Sequence, residues 1–162
     1  MNAATSIEIQ SVVNGMPRAS VVAARLTVAE YLRDDLGLTG TKTSCEMEVC
    51  GVCSVLVDGR PVSACTALAA DLDGAEVTTV EGLADGDSLS ELQQAFIEKF
   101  ATQCGFCTPG FLIMGTALLE ANPDPTHEEI AEYLDGNICR CTGYRPIIEA
   151  VLLAAARLRE TR

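Results

Sequence analysis

Eight cysteines in a chain of 162 residues restrict the possible folds more than any other feature of this sequence. They fall into two sets of four. The first set is Cys45, Cys50, Cys53 and Cys65, and the second set is Cys104, Cys107, Cys139 and Cys141. The first residues have neither the basic start nor the apolar run of a secretory signal, which predicts a cytoplasmic protein. Structural disulfides are rare in that compartment, so metal binding or redox chemistry is favoured for these thiols.

The spacing of each set points to an iron–sulfur cluster. The first set reads C-x4-C-x2-C with a more distant fourth cysteine, which is the plant-type [2Fe–2S] spacing. A short loop can place three thiolates around a cluster with its backbone N–H groups directed at the sulfurs, and Gly51 would let the backbone approach closely. The second set lies in "CGFC" and "CRC", beside predicted helix ends, where Arg140 would help to hold a negative cluster.

Structural zinc is the main alternative, because zinc sites use C-x2-C pairs. Cys50 and Cys53 with Cys104 and Cys107 could form such a site, but the other four cysteines would then have no role. Disulfides and eight buried thiols without ligands are the remaining possibilities.

The first half of the chain has the pattern of strands around one helix. β-Prone runs flank Asn14-Gly15 and Asp58-Gly59, and both dipeptides predict hairpin turns because they accept positive φ. Between the hairpins, Thr27 and Glu30 form a capping box for a helix that Gly37 would end. The run "AEVTTV" predicts a last short strand.

The second half has a helical pattern. Residues 81–87 are polar and glycine-rich and are predicted to form a linker. Four helices are predicted beyond it, with starts marked by Ser88 with Glu91, Thr108-Pro109, Thr126 with Glu129, and Pro146. The first of these helices is predicted to run to about Ala101.

The charge and hydropathy of the chain exclude two classes of partner. A formal net charge of −12 argues against a nucleic acid or an anionic membrane surface. The longest apolar stretches are too short to span a bilayer, so no stable membrane insertion is expected.

Three segments together carry a resemblance to a known family. "GTKTSCEMEVCGVCSVLVDG", "QCGFCTPG" and "GNICRCTGYRP" resemble the small iron–sulfur subunit of the molybdenum hydroxylases, the family of xanthine dehydrogenase and aerobic carbon monoxide dehydrogenase. The resemblance extends over nearly the whole chain, with all eight cysteines in register. It implies an α+β fold, with a plant-ferredoxin-like β-grasp domain at residues 1–80, a linker at 81–87 and a four-helix bundle at 88–162.

The resemblance also implies an electron-transfer role without a substrate site on this chain. Electrons would pass from a molybdenum–pterin centre in a large subunit, through two [2Fe–2S] clusters, to FAD in a medium subunit. The oxidised substrate would be CO, an aldehyde or an N-heterocycle. The first cysteine set would face the flavin and the second set the molybdenum, with Gln103 and Cys141 contacting the pterin. The assembly implied is a dimer of heterotrimers, and the pterin is a molybdopterin cytosine dinucleotide. A free-standing two-cluster ferredoxin or redox sensor is the alternative.

Four further residues near the cysteines have specific expectations. Many members of the family have glycine where Glu48 stands, so a positive φ at this position would strain the glutamate. Glu46 and Glu48 are expected to lower the potential of the nearby cluster through their charge. Asn137 and Thr142 could hydrogen-bond sulfur or cap helix ends, and capping is the expected role.

Overall fold

The computed structural model describes residues 6–160 and contains a five-stranded mixed sheet and, beside it, a group of helices. The strands are β1 (Ser6–Val13), β2 (Met16–Ala23), β3 (Ser54–Val57), β4 (Arg60–Ser63) and β5 (Glu76–Thr78). Their order in the sheet is β2-β1-β5-β3-β4, in which only β1 and β5 are parallel. The predicted α+β class is confirmed. The first five residues of the predicted domain at 1–80 and the last two of the predicted domain at 88–162 lie outside the described residues.

Both predicted hairpin turns are present. Asn14 and Gly15 have φ values of +51° and +74° and connect β1 to β2. Asp58 and Gly59, at +50° and +75°, connect β3 to β4. Positive φ at both central residues gives the turn a twist that matches the flanking strands, which is why these dipeptides were informative in the sequence.

A short helix packs against the sheet. Thr27 caps α1 (Val28–Glu30) with the predicted capping box, in which the Thr27 hydroxyl and the Glu30 carboxylate each bind the other residue's backbone N–H. The helix continues as a π-helical turn at Tyr31–Asp35, which the sequence did not predict, and the chain then turns at Gly37 with φ +71°. The Tyr31 hydroxyl lies 2.9 Å from Ser20 Oγ on β2, which fixes the helix to the sheet.

Four longer helices form the second half of the described chain. They are α2 (Glu91–Glu98), α3 (Thr108–Ala121), α4 (His127–Tyr133) and α5 (Arg145–Glu160). The predicted start and end of α2 were wrong. Ser90 and Gln93 form its capping box, whereas Ser88 pairs with Asp85 in an isolated β-bridge. No helix within residues 6–160 is both long and apolar enough to cross a bilayer.

The loop that carries Cys45, Cys50 and Cys53 takes part in both apolar cores. Cys53 and Cys65 belong to the core between the sheet and its short helix. Cys50 and Val52 instead belong to the core formed by α2–α5, which also contains Cys107 and Cys139. This loop therefore lies where the sheet and the helices meet, and it brings the two cysteine sets close to one another.

Candidate metal centre

Each thiol lies next to another thiol of its own set, so that the eight form four pairs, and the Cys104–Cys141 pair is hydrogen-bonded. In the first set Cys45 pairs with Cys50, and Cys53 pairs with Cys65. In the second set Cys107 pairs with Cys139, and Cys141 Sγ lies 3.6 Å from Cys104 Sγ. Each pair stays within the set that the sequence spacing defined. The structure does not group Cys50 and Cys53 with Cys104 and Cys107, as the zinc alternative requires.

The paired arrangement suits two metal ions in each set. A structural zinc ion needs four convergent ligands. A [2Fe–2S] cluster instead distributes four thiolates over two irons. Two thiol pairs in each set therefore fit a two-iron cluster better than a single tetrahedral ion.

The first cysteine loop directs its backbone N–H groups at Cys45. The amides of Met47, Val49 and Cys50, in that order of effect, lower the pKa of the Cys45 thiol to about 6. The Val49 amide nitrogen lies 3.4 Å from Cys45 Sγ. Hydrogen bonds that favour the thiolate also favour its role as a metal ligand, because metals bind the deprotonated form. The expected cradle of N–H groups is therefore present in this loop.

Two glutamates adopt left-handed backbone conformations in the same loop. Glu46 has φ +55° and Glu48 has φ +59°. Left-handed residues let successive amides form a concave array that can face an anion. A non-glycine residue in this region costs roughly 1–2 kcal/mol. The positive φ considered for Glu48 is confirmed, and Glu46 shares it.

Cys53 and Cys107, one buried thiol from each set, behave in the opposite way to Cys45. Burial raises the pKa of Cys53 to about 11, and burial also raises the pKa of Cys107 to about 12. Without a metal both thiols would remain protonated at neutral pH. Metal binding at these positions would therefore release protons and would be weakened by acid.

Thr142 contacts the sulfur of Cys139 directly. Its hydroxyl and amide nitrogen lie 3.2 Å and 3.4 Å from Cys139 Sγ. Burial opposes ionisation of this thiol, but the Thr142 groups and the Cys141 amide together lower its pKa. The Thr142 hydroxyl also accepts the Tyr144 amide at 3.2 Å just before α5. Capping was the expected role of Thr142, whereas the structure shows the sulfur contact that was the alternative.

Tyr144 is a further residue at this site that the sequence did not single out. Its hydroxyl accepts the Cys139 N–H at 3.1 Å, and its ring packs edge-on against Phe111 with centroids 6.3 Å apart. Its φ is +66°. The only available signal was the position of Tyr144 within "GNICRCTGYRP", which gives no indication of a contact with the Cys139 backbone.

The second set is open on one side. Cys107 and Cys139 are buried, whereas Cys104 and Cys141 are exposed, as is Gln103 beside them. A cavity of about 220 Å³ is lined by all four cysteines of this set, by Cys50 of the first set and by the exposed Arg140. Arg140 is thus in position to offset negative charge in this cavity.

A backbone hydrogen bond connects the two cysteine sets. Ile138, which precedes Cys139, donates its amide to the Cys50 carbonyl at 2.9 Å. Next to it, the buried Asn137 donates its side-chain amide to the Gly51 carbonyl at 3.2 Å. Asn137 was expected to cap a helix end, and its role in joining the two loops was missed because the partners are 86 positions apart in the sequence.

Close backbone packing makes this junction possible. A Cβ atom on Gly110, near the start of α3, would lie 2.5 Å from the Gly51 carbonyl oxygen. A Cβ on Gly51 would lie 2.6 Å from the Asn137 side chain. Both distances are shorter than real contacts, so glycine is required at both positions. The approach of the Gly51 backbone to a cluster stays a prediction, and the structure shows instead a close approach of Gly51 to Asn137 and Gly110.

Two family models match overlapping parts of the chain. The model described as "2Fe-2S iron-sulfur cluster binding domain" matches residues 11–92. The model described as "[2Fe-2S] binding domain" matches residues 79–152. Together they include both cysteine sets.

Relatives of known activity match over nearly their full length. The chain is 55% identical to the nicotine 6-hydroxylase small subunit of Paenarthrobacter nicotinovorans, covering 94% of this chain and 92% of that protein. It is 44% identical to the xanthine dehydrogenase iron–sulfur-binding subunit of Escherichia coli O157:H7, covering 94% and 96%. Among solved structures, a chain of quinoline 2-oxidoreductase from Pseudomonas putida 86 superposes with a TM-score of 0.92, at 43% identity, covering 96% of this chain and 97% of that chain.

Proposed function

This chain belongs to the iron–sulfur electron-transfer subunits of the xanthine dehydrogenase and aldehyde oxidoreductase family of molybdenum hydroxylases, and we propose that its eight cysteines hold two [2Fe–2S] clusters in that role. The single observation that carries the proposal is the arrangement of the thiols in four pairs, two within each set. When bound, each cluster supplies a centre that accepts and returns one electron at a time.

The ligands proposed for the flavin-side cluster are the first set. Cys45, Cys50, Cys53 and Cys65 supply the four thiolates. The cluster loop contributes its amides, which stabilise negative charge on the Cys45 sulfur. Cys53 and Cys65 hold the opposite side from within the sheet core, where water is excluded.

The ligands proposed for the molybdenum-side cluster are the second set. Cys104, Cys107, Cys139 and Cys141 supply the four thiolates. Thr142 stabilises the charge on Cys139 through two contacts to its sulfur. The Ile138–Cys50 hydrogen bond keeps this set in a fixed position relative to the first set, which a relay between them requires.

Gln103 and Cys141 are proposed to contact a pterin held by the partner subunit. Both residues are exposed and lie on the open side of the second set, next to Cys104. A side-chain amide offers both donors and an acceptor to a pterin edge. The buried first set has no comparable exposed pair, since Cys50, Cys53 and Cys65 are all buried.

The proposed partners are a large molybdenum-binding subunit and a medium FAD-binding subunit, assembled as a dimer of heterotrimers in the cytoplasm. The relatives named as small or iron–sulfur-binding subunits support a multi-subunit enzyme. Names among the relatives include nicotine, xanthine, quinoline and aldehyde, so the proposed substrate is an N-heterocycle or an aldehyde, with CO as the third class. The pterin is proposed to be the cytosine dinucleotide form.

The domain assignment remains part of the proposal. The mixed sheet with its short helix supports a β-grasp domain at residues 1–80, and α2–α5 support a four-helix bundle at residues 88–162 joined by a linker at 81–87. The free-standing ferredoxin or redox sensor is not favoured, because the relatives are named as subunits of larger enzymes.

Metal and cofactor analysis of the purified native complex tests the proposal. We expect about four irons per copy of this chain, with acid-labile sulfide and visible charge-transfer absorption. Molybdenum and flavin should copurify in the same complex. Zinc in place of iron, without visible absorption, would contradict the cluster assignment. Recovery of the iron-loaded chain without molybdenum or flavin partners would instead favour the free-standing ferredoxin.

A further inference from the structure

We propose that Glu48 is a positioning residue whose carboxylate holds the cysteine loop against the turn that carries Cys65. The inference rests on the proposed assignment of the first cysteine set as cluster ligands. It gives a reason for a glutamate at position 48, where the positive φ of the backbone would favour glycine.

The contact is made through Thr66. Thr66 Oγ1 lies 3.1 Å from Glu48 Oε2 and 3.3 Å from the Ser63 carbonyl oxygen. A hydroxyl carries one proton and can donate only one full hydrogen bond. The carboxylate is the stronger acceptor and the nearer one, so Thr66 donates to Glu48.

The Glu48–Thr66 bond joins the two segments that hold opposite thiol pairs. Glu48 lies between Cys45 and Cys50, which form one pair. Thr66 directly follows Cys65, whose pair partner is Cys53. The Thr66 amide also donates to the Ser63 carbonyl at 3.2 Å, so the Cys65 turn is already ordered locally. Besides the Cys53–Cys65 contact, the Glu48–Thr66 bond adds a side-chain link between that turn and the loop.

Glu46 provides an internal comparison. It has nearly the same φ as Glu48, at +55° against +59°, and both residues are exposed. Over residues 6–160, the Glu46 carboxylate has no hydrogen-bond or ion-pair partner, whereas the Glu48 carboxylate binds Thr66. Backbone strain is therefore common to both positions, and only Glu48 has a contact that offsets it.

The experiment measures how fast a chelator removes iron from the first cluster in the reduced native complex. The signal followed is the EPR signal that a Cys65→Ser variant lacks. Thr66→Val and Glu48→Gly are each expected to raise the removal rate by about threefold to tenfold, as for loss of one exposed hydrogen bond of ordinary strength. Glu48→Gln and Thr66→Ser keep an acceptor and a donor, and both should stay within about twofold of the wild type.

The matched control is Glu46→Gly, which relieves the same strain without breaking a contact and should not raise the rate. The double variant Glu48→Gly with Thr66→Val should be no faster than either single variant, because both remove the same bond. Equal rates for wild type and Thr66→Val, a Glu46→Gly effect as large as that of Glu48→Gly, or additive effects in the double variant would overturn the positioning role. A wild-type complex without iron would overturn the proposed function instead.

Discussion

Replacement of Cys139 by serine is expected to remove the molybdenum-side cluster and to stop electron flow to the acceptor. Cys139 is buried, lies next to Cys107 and contacts Thr142 through its sulfur, and the other thiols of its set are themselves proposed ligands. Iron should fall from about four to about two per chain, with loss of one EPR signal. Turnover with an external acceptor should fall by more than about 100-fold. Mutation of a residue that only hydrogen-bonds a metal ligand already lowers metal affinity or activity by about 10–100-fold, and loss of the ligand itself should have a larger effect.

Two comparisons make this result specific. Substrate should still reduce the molybdenum centre of the Cys139→Ser complex in a single-turnover experiment, since the substrate site is proposed to lie on another subunit. Cys53→Ser applies the same change to a buried thiol of the first set and should remove the other EPR signal. Normal iron content with normal turnover in Cys139→Ser would show that this thiol is not a ligand.

The local elements of the fold could be predicted because their determinants are adjacent in sequence. Asn14-Gly15 and Asp58-Gly59 specify hairpin turns through the φ values that they tolerate. The capping box of Thr27 could also be read directly. The predicted capping box at Ser88 was wrong, because Ser90 and Gln93 satisfy the same pattern two positions later. Only tertiary packing selects between two such overlapping signals.

The contacts around the candidate site were harder to predict because they connect distant segments. Cysteine spacing divided the thiols into two sets, and thiols that are neighbours in the structure belong to the same set, but spacing could not show that Cys45 lies next to Cys50 or Cys53 next to Cys65. The same limit applies to Asn137, which was expected to cap a helix and instead binds the Gly51 carbonyl. Such roles depend on how the sheet and helices pack, and a local pattern does not encode that packing.

Gly110→Ala is expected to disrupt the junction between the two cysteine sets. The new Cβ would lie 2.5 Å from the Gly51 carbonyl oxygen and 3.1 Å from the Val52 Cα, and backbone atoms cannot move aside by changing rotamer. Alanine within a helix gains about 1 kcal/mol over glycine. Overpacking of this kind typically costs about 1–3 kcal/mol and occasionally more. A clash with backbone belongs at the upper end of that range, so the clash outweighs the gain.

The consequence should extend beyond stability, because the clash separates the two cysteine sets. Movement of α3 away from the loop at Gly51 would break the Asn137 contact and lengthen the Ile138–Cys50 hydrogen bond. We expect the Gly110→Ala complex to unfold about 5 °C lower and to retain less iron after purification.

Gly136→Ala is the matched control, since a Cβ at Gly136, next to Asn137, meets nothing within 4 Å. This control should change the free energy of unfolding by less than about 0.5 kcal/mol. A Gly110→Ala complex as stable and as iron-rich as the Gly136→Ala complex would show that the close contact between Gly110 and Gly51 is not required for the junction.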